Sequence, residues 1–306
     1  MDDLELSERD LDLEIDAMFQ PPEPAPKQPL SFEPPVLVEH LSADAYHADV
    51  ASIGIHGLAL VGKSPLHHWH EVRRPDREIK EKTTAQTVGD AIHLAVLEPE
   101  RFASECAVAP DVDRRTRAGK EDWAAFQAAN VGKLTVRAED HACALRVAGS
   151  VREHPLGRMF LCGPGKREAS IFWTDKETGV RCRMRPDFIP DSGAVLVDLK
   201  SCEDAGEAAF TRNAWNYGYH LTAAWYLEGW KALTGEKREY VFAAWEKDQP
   251  HACAWYYADD DLIAAGRDRF RALLRIYADC LAKDKWPGYA ERLCPLYAPA
   301  WAMDRS

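Results

Sequence analysis

The sequence predicts an α/β fold: a mixed central sheet flanked by helices, preceded by a helical N-terminal portion. Three observations carry that expectation. Residues 42–154 hold several stretches whose apolar positions recur at helical spacing. The text then changes to short β-rich runs, EASIFWTD, VRCRMRPDFI and AVLVDLK, separated by Lys176-Glu177-Thr178-Gly179 and Pro190-Asp191-Ser192-Gly193, which reads as a meander of three strands. Helix and strand patterns alternate again after it, as in a layered domain built around one sheet.

In chain order, residues 1–36 stand apart. The first 35 residues carry ten acids against Arg9 and Lys27, and PPEPAPKQPLSFEPP is rich in proline. Such a stretch buries too little to offset its ordering entropy, so a disordered tail or tether is expected. Leu4, Leu11, Ile15 and Met18 could share one face of a short helix, which leaves a docking peptide or an acidic mimic of DNA as the sharper alternative. Residues 37–306 form one domain. Ser42 caps a helical turn to Asp49. Helices are expected over Ile55–Leu60, Ala85–Leu97, Trp123–Ala129 and Ala138–His154, then the meander. Further on come a helix over Glu207–Leu233 interrupted near Tyr217-Gly218, a strand EYVFAAWE, a second strand in HACAWYYA, and a long helix over Asp260–Ala282.

Bulk composition excludes several classes. No apolar run approaches the ~18 residues of a membrane span, and no signal peptide opens the chain, so a soluble, cytoplasmic protein is expected. The eight cysteines, at 106, 143, 162, 182, 202, 253, 280 and 294, are scattered without C-x-x-C spacing, which opposes zinc, a disulfide framework or an iron–sulfur cluster. A net charge of −12 argues at first sight against nucleic acid, but the acidic tail holds −8 of it. A nucleic-acid enzyme needs a local basic groove, not a basic total.

The chemistry concentrates in the meander. Asp198 and Lys200 are two apart on one strand, so both side chains leave the same face. The apolar run Ala194–Val197 places that strand in the core, with the pair expected at its end. A carboxylate and an ammonium leaving a buried strand together are costly unless something uses them. Asp187 follows Pro186 on the neighbouring strand, and Glu168 begins the one before. Three carboxylates and a lysine at one rim suit metal-assisted phosphodiester hydrolysis: hard oxygens bind Mg²⁺, Mn²⁺ can substitute, and the lysine favours a deprotonated attacking water. His93, on the apolar helix GDAIHLAVLE, reads from context alone as a boundary residue, although imidazole is an acceptable ligand beside such an ion.

Two further motifs compete for a role. Gly57-Leu-Ala-Leu-Val-Gly62-Lys63-Ser64 satisfies the P-loop pattern, so an ATPase is an alternative. Its apolar interior reads better as a helix face, and Pro65 interrupts the required helix start. Asp113-Arg-Arg-Thr-Arg-Ala-Gly-Lys120 is the densest basic stretch: either a solvated loop or a phosphate clamp built of Arg114, Arg115, Arg117 and Lys120. Trp69 and Trp225 read as core residues in preference to stacking surfaces for a duplex end.

The segment RPDFIPDSGAVLVDLKSCEDAGEAAFTRNAWNYGYHLTAAWY resembles the exodeoxyribonuclease VIII family, the RecE-type, phage-derived members of the PD-(D/E)xK nuclease superfamily in its RecB-like branch. The resemblance extends over residues 40–305, through SIGIHGLALVGKSPLHHWH, GDAIHLAVLEPERF, DRRTRAGKEDWAAF and the WPGY…LYAPAWA ending. It implies a restriction-endonuclease-like core and a Mg²⁺-dependent exonuclease, without an ATP requirement, that degrades one strand of linear duplex DNA from its 5′ end. The remaining 3′ tail would pass to a single-strand-annealing recombinase, and the enzyme would be a toroidal homotetramer in a bacterial host, of phage or prophage descent. By motif, His93, Glu168, Asp187 and Asp198 resemble metal ligands, with the Leu199 carbonyl as another, and Lys200 resembles the catalytic lysine. A structure-specific endonuclease of the same fold shares this chemistry and stays open. One departure stands out: the branch's Gln-x-x-x-Tyr, expected to touch DNA or the lysine, reads Thr222-Ala-Ala-Trp-Tyr226, so Tyr226 is kept while Thr replaces the amide.

Overall fold

A computed structural model describes residues 33–77 and 82–298. The expected disordered tail over residues 1–36, with its Leu4–Met18 face, therefore falls almost wholly outside the described residues, as does the chain from 299 on. The helical N-terminal portion comprises β1 (Val36–Val38), α1 (Ala43–Ala48), α2 (Ile55–Lys63), α3 (Pro65–His68) with a π-helical turn (Trp69–Arg73), α4 (Thr84–Leu97), α5 (Pro99–Glu105), β2 (Cys106–Val108), α6 (Arg117–Ala129), β3 (Leu134–Val136), α7 (Ala138–Glu153) and α8 (Pro155–Leu161). The second part comprises β4 (Gly165–Arg167), β5 (Ser170–Thr174), β6 (Arg181–Met184), β7 (Phe188–Pro190), β8 (Val195–Cys202), α9 (Glu207–Asn216), α10 (Tyr219–Thr234), β9 (Glu239–Glu246), β10 (Cys253–Tyr257) and α11 (Asp260–Lys283). Among the described residues, no helix is long and apolar enough to cross a membrane.

Local chemistry accounts for the helix boundaries. Ser42 accepts the Ala45 N–H at the start of α1, and Thr83 and Gln86 form a reciprocal capping box on α4. Thr116 caps α6, which begins six residues before the expected Trp123 because the basic stretch supplies its first turn. Gly218, in the left-handed region at φ 73°, divides α9 from α10 where the sequence shows its interruption. Gly57–Lys63 lies inside α2 and Ser64 caps α3, so the P-loop pattern falls on helix. Its backbone N–H groups serve the helix and cannot cradle phosphates.

The main sheet has five strands in the order β10-β9-β8-β7-β4, with β8 and β9 parallel and the other pairs antiparallel. A separate antiparallel sheet has the order β1-β5-β6, and β2 and β3 form a parallel pair. The expected three-stranded meander is thus divided: β5 and β6 belong to one sheet, β7 and β8 to another. Both arms of the long hairpin break at one level. Glu168 lies between β4 and β5 with φ 50°, not at a strand start, and Asp187 precedes β7. The Glu168 N–H donates to the Asp187 carbonyl at 3.1 Å, which joins the two breaks.

Two cores flank the main sheet. One face of β8 sends Leu196 and Cys202 into a cluster with Phe210, Trp225, Tyr240, Phe242 and Phe270. The other sends Val197 and Leu199 against Ile92, Val96, Val147 and Ala243. The alternation of a strand buried on both sides explains its near-continuous apolar run.

Candidate active site

Asp198 and Lys200 point to the same face of β8, but they lie within the strand and not at its end. β8 pairs with β9 from Val195 to Cys202, whereas on its other side β7 meets it only at Phe188↔Val197. Beyond that point the β7-facing edge of β8 is open, and a side chain fills the role of a strand. Asp187 Oδ2 accepts the Leu199 backbone N–H at 2.6 Å. Asp187 is thereby fixed at the side of β8 where Asp198 and Lys200 emerge.

Asp187 Oδ1 lies 3.8 Å from His93 Nδ1. His93 comes from α4, whose Ala91, Ile92, Ala95 and Val96 are buried against the other face of the sheet. One ligand atom each from His93, Glu168 and Asp187 lies within 4.8 Å of the others. Glu168 reaches this group through a backbone conformation that L-residues rarely adopt and that costs on the order of 1–3 kcal/mol. Burial, then the Asp187 carboxylate, raises its pKa from 4.5 to about 8. Two facing carboxylates and an imidazole at half-buried positions make an oxygen and nitrogen donor set that a divalent cation fits.

Asp198 is 3% exposed and its Oδ2 contacts Lys200 Nζ. Burial pushes the Asp198 pKa up; Lys200 opposes the rise and Asp187 adds to it. Burial works against charge on Lys200, but Asp198 and Asp187 outweigh it and hold the ammonium above its usual pKa. Asp198 lies beside the three-residue group rather than within it. Leu199 carries its side chain into the opposite core and offers its N–H to Asp187.

The helix after this strand contributes differently from the sequence expectation. Tyr219 lies against Lys200, with Nζ 5.2 Å from the ring centroid, and is the residue of α10 that sequence reasoning missed. Tyr226, expected at DNA, packs its ring against Tyr240. Its phenol is held well above its usual pKa by burial, then by Tyr46, Asp198, Asp187 and Glu168, and the half-buried ring packs on the core beside them. Thr222 is half-buried, and His220 stacks on Trp215 with ring centroids 4.5 Å apart. Trp225 is core: its indole N–H donates to the Arg183 carbonyl and its ring meets Trp173 and Phe270. Trp69 is half-buried in the π-helical turn.

Two arginines brace the site from behind. Arg183 donates to the Tyr46 and Asp49 carbonyls, and Arg185 to Ser170 Oγ and the Leu41 carbonyl. Both guanidinium groups lie over the Tyr46 ring, at 4.7 and 4.3 Å. The basic stretch is exposed at the start of α6, where Arg115 pairs with Asp113, Arg117 with Glu121, and Arg114 lies 4.6 Å over Trp123. Lys120 is exposed on the first turn.

Residues 61–296 match the model of a family described as a PDDEXK-like domain of unknown function (DUF3799). The fold is similar to that of a candidate exonuclease from Eubacterium rectale, at TM-score 0.57 and 14% identity over 88% of this chain and 99% of that one. A weaker alignment, TM-score 0.25 and 16% identity over 61% of this chain and 97% of the other, is with an alkaline exonuclease from Laribacter hongkongensis. No curated protein matches the chain.

Proposed function

The chain belongs to the PDDEXK-like family DUF3799, and from that membership and the geometry of the site we propose that it is a divalent-metal-dependent nuclease acting on DNA. The observation that carries the reading is the convergence of His93, Glu168 and Asp187 within 4.8 Å, beside the Asp198–Lys200 pair. His93, Glu168 and Asp187, with Asp198 beside them and the Leu199 carbonyl, would hold Mg²⁺ or Mn²⁺, which when bound would supply Lewis-acid polarisation of the phosphate and a water more acidic than bulk water. The residues do the rest. Asp187 is oriented by the Leu199 N–H. Lys200, kept charged by Asp198 and Asp187, offers an ammonium where negative charge grows on the phosphate. Tyr219 and Tyr240 restrict water around that pair. Arg114, Arg115, Arg117 and Lys120 would neutralise backbone phosphates.

The finer reading follows the RecE-type resemblance: an exodeoxyribonuclease that digests one strand of linear duplex DNA in the 5′ to 3′ direction. It leaves a 3′ tail for a single-strand-annealing recombinase and works as a toroidal homotetramer in a bacterial cytoplasm. End-labelled linear and closed circular duplexes, incubated with Mg²⁺ or Mn²⁺, test it. Loss of the linear substrate from its 5′ ends is expected, with the circle intact and Asp198→Ala inactive. Cutting of the circle overturns the exonuclease reading in favour of an endonuclease; no digestion of either DNA overturns the nuclease reading.

A further inference from the structure

We propose that Tyr217 and Tyr219 form an aromatic ledge beside Lys200 on which an unpaired base of the substrate strand stacks. The inference rests on the nuclease reading and adds a requirement to it: the strand must be unpaired where it meets the site.

Residues two apart on a continuous helix do not face each other. Tyr217 and Tyr219 escape that rule because Gly218, at φ 73° and ψ 30°, breaks the helix between them. Their ring centroids are 5.9 Å apart at 32°. Tyr219 is held from behind by Phe210 at 6.0 Å and Phe242 at 5.9 Å, and its ring lies 5.2 Å from Lys200 Nζ. The inner half of the pair is therefore fixed and touches the ammonium. The outer half is not covered, for Tyr217 is 72% exposed. Trp215, the neighbouring ring, is 56% exposed and has one face engaged by His220 at 4.5 Å and 22°, so Tyr217 is the more exposed of the two and the one that adjoins Tyr219.

A lone exposed tyrosine needs no explanation. This one is an exposed ring continuing outward from a ring that contacts the proposed catalytic lysine. A strand whose phosphate sits at Lys200, with bases spaced about 3.4 Å apart in rise, brings a base within one to three nucleotides of that path. Stacking on an aromatic ring is sequence-tolerant because every base presents a π-face, but a base inside a duplex already has both faces covered. The ledge therefore selects frayed or single-stranded ends over closed blunt ends, with little regard to sequence.

The test uses the full chain in EDTA, where binding is read without hydrolysis. A duplex with a 5′ overhang carries 2-aminopurine in the overhang; a blunt duplex carries it at the same distance from the end. The wild type should quench the overhang probe, and Tyr217→Phe should match it. Tyr217→Ala should lose the quenching and bind the overhang DNA roughly five- to a hundredfold more weakly. Equal binding and quenching by Tyr217→Ala would overturn the ledge. So would equal damage from Phe and Ala, which assigns the hydroxyl, or a changed oligomeric state of Tyr217→Ala by light scattering, which assigns the ring to a contact between copies. Quenching by a wild type that cleaves no DNA with Mg²⁺ or Mn²⁺ sinks the nuclease reading and leaves the ledge; wild-type quenching retained by a Tyr217→Ala variant that still cleaves DNA sinks the ledge alone.

Discussion

Asp187 holds two positions at once. One carboxylate oxygen completes the hydrogen bonding of an open strand edge through the Leu199 N–H, and the other faces His93. Beside it, Lys200 contacts the buried Asp198. Replacing Lys200 by Ala should lower kcat by about 10²–10³ with KM little changed, because the ammonium acts as charge develops and not as DNA docks. Steady-state kinetics on linear duplex decide this, and a change confined to KM refutes the role. The same-face geometry of Asp198 and Lys200 was legible from their spacing; Tyr219 was not, since nothing local links residue 219 to residue 200. A different residue contributes to the response to acid. His68 is buried between Tyr277 and Trp286, and burial, then Arg73 and His56, lowers its pKa from 6.5 to about 4. The folded state keeps this ring neutral, so its contribution is present above pH 6.5 and is lost as pH falls through about 4, by on the order of 3 kcal/mol. Melting temperatures of the wild type should therefore fall more steeply than those of His68→Phe between those pH values. Parallel curves would exclude His68 as the cause.

At the scale of elements, long periodic segments were legible and short edge pieces were not. α7, α11, β8 and β9 are repeated closely by their apolar spacing, whereas β1, β2, β3 and β4 are three residues each and too short to carry a period. The division of the meander between two sheets escaped for another reason. It depends on the left-handed backbone of Glu168 and on the pairing of β1 with β5, and neither belongs to the local pattern. The packing of α10 on α11 is similarly tertiary. A Cβ at Gly266 would meet the His220 carbonyl oxygen at 2.0 Å and the Ala224 Cβ at 3.0 Å, so α11 approaches the first turn of α10 through the missing side chain. Gly266→Ala should force these helices apart at a cost of about 1–3 kcal/mol. Because His220 follows Tyr219, the displacement should also loosen Tyr219 from Lys200. A lower melting temperature together with a reduced kcat is expected; a drop in stability with unchanged kcat would show that the first turn of α10 does not position the lysine.

For the whole molecule, the distribution of charge matters more than its sum. The net charge is −12, yet an exposed run of basic residues opens α6, of which only Gly119 is buried. The run is not wholly free. Arg115 and Arg117 are each bonded to an exposed acid, and such surface pairs contribute little and exchange readily for a phosphate. Gly119 fixes the turn, since a Cβ there would meet the Asp113 carbonyl oxygen at 2.1 Å. The segment is thus a shaped surface and not a loose charged loop, a property hidden from the sequence because it depends on how closely two backbones approach. If it clamps DNA, each phosphate neutralised contributes about 0.9 to the slope of log K against log salt. Replacing Arg114, Arg115, Arg117 and Lys120 together by Gln should flatten that slope by about 2–4, less than the full four charges where Asp113 and Glu121 already offset two of them. Binding isotherms of linear duplex over a range of salt concentrations measure the slope, and circular dichroism verifies that the variant keeps its helices. A slope unchanged within error would remove α6 from the DNA path and shift the search to other basic surfaces.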